Sequence, residues 1–129
     1  MYTALTLLSL VFGSHAHAAE PAVITLSCDG KMTTGVNGKP EPVSKMGLIV
    51  NLDNQTVSFS GVVVGIRKAD AANIAFDGDS NDGPYMTHVD GNIDRVTGSA
   101  SFGVIVSTRS TPLTNSVYDL LCKPTTRIF

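Results

Sequence analysis

The residues able to do chemistry are few in this chain. In DGDSNDG, positions 77–83, Asp77, Asp79 and Asn81 have the alternate spacing of a calcium loop's first three ligands. The pattern then breaks. Asp82 stands where such a loop turns on glycine, and His88 where it needs a bidentate glutamate. Asp77, Asp79 and Asp82 remain candidate ligands for a calcium loop of another design, with three carboxylates near one hard cation. The plainer reading is a solvated loop whose like charges avoid one another, so no metal is expected. His88 and Asp90 lie two residues apart on one face of a strand pattern, where a carboxylate could orient an imidazole for acid–base work. No GxSxG or other nucleophile motif accompanies them, and a surface His–Asp neighbour is common. No cofactor motif is present either, since Gly61 and Gly65 form neither a dinucleotide nor a phosphate fingerprint.

Two cysteines, Cys28 and Cys122, complete the inventory. Neither belongs to a CxxC pair, and one His beyond the leader cannot complete a zinc site of Cys and His. In an exported chain so small an even count points to one disulfide, the other reading being two buried thiols. A bridge between them closes a loop of about 95 residues, for which chain entropy gives at most about 4–5 kcal/mol.

Export is expected from the first eighteen residues. Met1 to Ala18 holds no Asp, Glu, Lys or Arg, and Ala16-His17-Ala18 supplies the small residues of a signal-peptidase site before Ala19. The apolar run is too short to span a bilayer, which takes about 20 residues. Its amino-terminal part lacks the usual Lys or Arg, so an apolar N-terminal strand is the competing reading. Removing 18 of the 129 residues leaves 111, one domain, residues 19–129. Its compartment would be the periplasm or the extracellular medium. Nine Lys+Arg against eleven Asp+Glu, with no basic cluster beyond Arg67-Lys68, argue against nucleic acid or an anionic membrane as partner. Asn54-Gln55-Thr56 is a glycosylation sequon in an expected turn, of a kind that arises often by chance.

The elements that must position these residues are strands. From Tyr85 to Ser107 the apolar residues alternate on either side of Asp94–Ser99, and a loop Arg95–Gly98 pairs Ile93 with Ala100, Gly91 with Phe102, Val89 with Val104 and Thr87 with Val106. Ala22 to Cys28 reads as a strand with Ile24, Leu26 and Cys28 inward, and Asp29 to Pro42 as a loop. Val43 to Leu52 and Thr56 to Ile66 form a second hairpin, whose apolar phase changes after Phe59. A bulge at Ser60-Gly61 would restore it. Arg67 to Asn73 is a polar connection with room for one helical turn. Ile74 to Phe76 is a short strand, Asp77 to Pro84 and Thr108 to Asn115 are loops, and Ser116 to Cys122 is the last strand. About seven strands without a convincing helix predict an all-β domain, a small antiparallel barrel or sandwich. Pairing of the cysteine-bearing end strands tips the balance toward a barrel.

The combination of LxCxG at Leu26, Cys28 and Gly30, GNIDRVTG at Gly91 to Gly98, and YDLLCKP at Tyr118 to Pro124 resembles short exported bacterial proteins of unknown function. That resemblance implies export and a shared β-domain, and brings no activity with it. An outer-membrane barrel is disfavoured, because Lys123, Thr125 and Arg127 hold the in-phase positions before Phe129 and Pro124 interrupts. The functions left open are a non-enzymatic domain that binds a protein or surface component, a barrel that holds an apolar small molecule, and an enzyme using His88 and Asp90.

Overall fold

Period-two alternation of apolar side chains runs through nearly the whole chain, and the backbone follows it into strands that close on themselves. The computed structural model describes residues 21–126; the expected leader and its cleavage site lie outside these residues. Eight strands follow in order: β1 (Val23–Thr34), β2 (Glu41–Asn51), β3 (Thr56–Phe59), β4 (Val62–Ala69), β5 (Asn73–Asp82), β6 (Tyr85–Asp94), β7 (Ser99–Ser107) and β8 (Pro112–Pro124). Each pairs antiparallel with the next, and β8 returns to β1, so the sheet is a closed up-and-down barrel. Closure removes the sandwich alternative and pairs both terminal strands. No helix occurs among the described residues, so the helical turn expected near Ala69 is absent: β4 runs to Ala69 and Asp70 turns the chain into β5.

The β6–β7 hairpin has the expected register, with Gly91 opposite Phe102, Val89 opposite Val104 and Thr87 opposite Val106. Its loop is held by Asp94, whose Oδ1 accepts from the Val96 and Thr97 N–H groups at 2.9 and 3.1 Å. Gly98 ends it with φ at 81°.

Three expectations are corrected. Ser60-Gly61 is no bulge inside one strand; Ser60 (φ 48°) and Gly61 (φ 78°) form the two-residue turn between β3 and β4, with Phe59 opposite Val62. Two left-handed residues match the twist of a tight hairpin, and this turn supplies the eighth strand. The phase change after Phe59 is the reversal of the chain itself. The segment 29–42 is mostly strand, because β1 extends to Thr34 against both β2 and β8, leaving a connection of 35–40. The irregularity that hid it is a bulge between Cys28 and Gly30, where Lys45 of β2 takes φ 53° and donates its N–H to Asp29 Oδ1. The third correction concerns the acidic segment after Phe76, which is strand up to Asp82 and pairs with β6 along its full length.

The core fills the barrel lumen. Leu26, Cys28, Leu48, Val50, Val57, Val64, Ile74, Phe76, Val89, Ile93, Ala100, Phe102 and Leu120 are buried. At mid-height Phe102 stacks on Tyr118 with ring centroids 4.7 Å apart, and meets Phe59 at 4.9 Å and Phe76 at 6.0 Å. Gly91 lies beneath this cluster, where a side chain would strike Phe102. Cys28 and Cys122 face each other on β1 and β8 and are joined by a disulfide, as their shared inward phase led us to expect. The bridge is compatible with an oxidising compartment outside the cytosol.

Candidate functional site

The structure separates most of the residues that looked chemical. Asp77 and Asp79 stand on the outer face of β5, opposite Asp90 and His88 of β6, and Asp82 is paired with Tyr85 at the strand's end. Five extended residues part positions 77 and 82 by roughly 16 Å, so the acidic cluster does not converge on one cation. Asp77 instead meets Arg67 at 3.4 Å, an exposed pair of little energetic weight. Among the described residues no group of three His, Cys, Asp or Glu side chains is placed to hold a metal ion. The acidic run has a different structural use. β4 pairs with β5 only up to Asp77, so the backbone beyond it is an open sheet edge, and charges there oppose edge-to-edge association.

His88 has a carboxylate partner, and it is not Asp90. Its Nδ1 lies 2.7 Å from Asp79 Oδ1, directly across the ladder, while Asp90 shares its strand and face without that contact. Cross-strand neighbours are closer than residues two apart on one strand, whose side chains stand about 6–7 Å apart. The sequence could not show this pair, because Asp79 was read as loop. The His88 and Asp79 side chains are 47% and 60% exposed, so the pair sits on open surface.

The one enclosed apolar hollow lies elsewhere, at the barrel end that carries the β2–β3, β4–β5 and β6–β7 connections. It measures about 180 Å³ and opens toward solvent. Ile24 and Leu26 of β1, Val50 of β2, Ile74 of β5, Ile93 of β6 and Cys122 of β8 form its walls; Asp94, Arg95, Gly98 and Pro124 form its rim. These are the inward residues of the strand ends, below the level of the aromatic layer. A side chain from each of five strands converges there without filling the space. Rim geometry is set by hydrogen bonds. Gly98 accepts the Cys122 N–H at 2.8 Å, Arg95 donates its own N–H to Ala72 O at 2.7 Å, and Arg95 Nη1 donates to Asp70 O at 2.8 Å. Asp94 and Asp70 both titrate below the ordinary carboxylate value. For Asp70 the Asn73 N–H is the larger cause and Ala72 the smaller; for Asp94 it is Thr97, then Val96. Beside the apolar hollow lies a more polar one, lined by Leu52, Gln55, Ala69, Asp70, Ala71 and again Arg95.

Sequence reasoning named none of these rim residues as functional. The only signal was the inward phase of Ile24, Ile74 and Ile93 close to their strand ends, which looks the same in a filled core.

A second surface feature is an apolar stripe on the outer face of β7 and β8. Ile105, Val117 and Leu121 are 38%, 44% and 55% exposed, and Gly103 opposite Val117 leaves the stripe uncovered in the middle. Asp29, Lys31 and Asp119 border it. Elsewhere the outer face carries Asp77, Asp79, His88 and Asp90. No described helix is long and apolar enough to cross a membrane.

No family model, curated protein or solved structure matches the chain.

Proposed function

We propose that this is an exported, non-enzymatic binding domain whose ligand is a small apolar molecule held at the mouth of the barrel. The observation that supports the ligand reading most is the 180 Å³ hollow walled by Ile24, Leu26, Val50, Ile74 and Ile93. A dry cavity of about 150 Å³ lined by such residues takes up benzene, so this one suits about seven heavy atoms. An eight-stranded barrel is the size at which the lumen is either filled or holds one small ligand, and here both occur at different heights. Export is supported by the leader reading of Met1–Ala18 and by the disulfide; periplasm and medium are the two destinations. Likeness to short exported bacterial proteins points the same way.

The size of the hollow bounds the affinity. With about seven atoms, at the efficiencies seen between tiny and drug-sized ligands, binding is about −4 to −5 kcal/mol, a Kd near 1 mM or somewhat below. Amide chemical-shift mapping with toluene as probe tests the reading. Saturable shifts should cluster on Ile24, Ile74, Ile93 and Gly98, and Ile93→Trp should abolish them by filling the space. Shifts that stay linear to several millimolar, or that map to the β7–β8 surface, would sink it.

The outer stripe supports a second reading, a protein or surface partner docking on Ile105, Val117 and Leu121, since apolar side chains grouped on an outer face mark interaction sites. Leu121→Ser with Val117→Ser should then release a co-purifying partner while leaving toluene binding intact.

A further inference from the structure

We infer that the mouth site takes an amphipathic ligand with an anionic head, a short-chain carboxylate, and that Arg95 is the residue that selects the head. This rests on the reading of the mouth as a small-molecule site. Arg95 is the one residue that borders both hollows at this barrel end, the apolar one and its polar neighbour. A molecule with its tail among Ile24, Ile74 and Ile93 therefore emerges past the guanidinium. Main-chain and side-chain bonds to Ala72 O and Asp70 O hold that group over the junction. A guanidinium carries five N–H donors in a planar fork, so one can rest on a carbonyl while others meet a carboxylate.

The nearby acids do not reverse this. Asp94 is turned into its own loop by the Val96 and Thr97 N–H groups, and Asp70 into its own turn by Ala72 and Asn73. Each carboxylate is thus already met by two amide dipoles, whereas the guanidinium charge faces the space between the hollows. Volume sets the tail. About seven heavy atoms fit, which leaves a six-carbon chain with its carboxyl group at the rim.

The test compares hexanoate, 1-hexanol and hexylamine on the full domain by amide-shift titration at low salt. An exposed ion pair is worth up to about 1 kcal/mol, so hexanoate should bind about fivefold tighter than hexanol and hexylamine most weakly. Arg95→Gln should erase the hexanoate advantage and leave hexanol unchanged. In the unmodified protein 0.5 M salt should do the same, which keeps the test decisive if the variant folds poorly. Equal affinities for the three probes, or a preference for hexylamine, would overturn the role of Arg95 while leaving an apolar mouth site standing. Saturable binding by none of them would overturn the mouth site and this inference together.

Discussion

Adding one methyl group at Gly91 should unsettle the whole barrel. A Cβ built there would fall on Phe102 Cβ and come within 2.8 Å of both Phe76 Cζ and Ser101 O. Only the first and the last of these belong to rigid parts of the chain. Phe76 can tilt its ring; Phe102 Cβ and the Ser101 carbonyl move only if β6 and β7 separate. Such overpacking costs about 1–3 kcal/mol, and the immobility of two of the three contacts places Gly91→Ala at the upper end. Against this, replacing glycine with alanine in a strand recovers about 0.5–1 kcal/mol of backbone entropy. The net expectation is a loss of about 2 kcal/mol, or about 10 °C in Tm for a domain near a hundred residues. Urea denaturation should show a lower midpoint with an unchanged slope. Gly103→Ala is the control: it sits on the next strand, facing outward, and its Cβ would meet nothing nearer than Ser116 O at 4.0 Å. That variant should be neutral or slightly stabilised. If Gly91→Ala unfolds within about 0.5 kcal/mol of the unmodified protein, or matches Gly103→Ala, the packing argument for the central layer is wrong.

The disulfide should matter on a similar scale. Cys28→Ala with Cys122→Ala opens a cross-link spanning 94 positions and should cost about 2–4 kcal/mol in urea midpoint analysis; a loss under 1 kcal/mol would mean that strand pairing alone closes the barrel. Acid should weaken the fold through Asp94 and Asp70. Both are depressed below the ordinary 3.8 by amide donors, so the folded state binds fewer protons than the unfolded one. Their contribution is complete above about pH 4 and fades as pH falls through the folded values. The stability gap between the unmodified protein and Asp94→Asn should therefore shrink below pH 4, and a constant gap from pH 7 to 2.5 refutes it. Millimolar calcium should leave Tm unchanged, because Asp77 and Asp79 are spread along a strand. A rise of several degrees that Asp79→Ala removes would show that this edge rearranges around the ion.

Strand alternation was legible wherever the chain was regular, and it failed at particular residues for physical reasons. The Gly91–Phe102 register and the inward phase of both cysteines came from counting in twos, and both survive in the barrel. Asp29 to Pro42 was hidden by a bulge: Lys45 with φ at 53° shifts the register, so alternation restarts out of phase. Gly30 reinforced the loop reading, although it lies within β1 because a side chain there would strike the Asp119 carbonyl. The acidic strand after Phe76 was hidden by composition, since Gly78 and Ser80 present small inward residues where a core strand usually shows large ones. That single misreading also cost the His88–Asp79 pair, which exists only because Asp79 is a cross-strand neighbour. The mouth site was invisible for another reason: a wall of inward isoleucines has the same pattern whether the space between them is filled or empty.

Why space remains at one end follows from how the lumen is filled. Phe59, Phe76, Phe102 and Tyr118 meet at mid-height, and bare Gly91 is what lets Phe102 lie across β6. Toward the mouth the walls change to Ile24, Val50, Ile74 and Ile93, side chains too short to meet across an eight-stranded barrel. A ring at any of these positions would close the hollow and add buried area, so its absence lowers stability for nothing in return unless something enters. The rim is also where the fold is pinned hardest, by the disulfide at Cys122, the Asp94 loop and the Arg95 bond to Asp70. A rigid rim around an unfilled apolar end is the arrangement that binds with little ordering cost. It follows that filling the end, as in Ile93→Trp, should raise Tm while abolishing uptake of toluene or hexanoate, whereas a merely imperfect core would gain stability with no binding to lose.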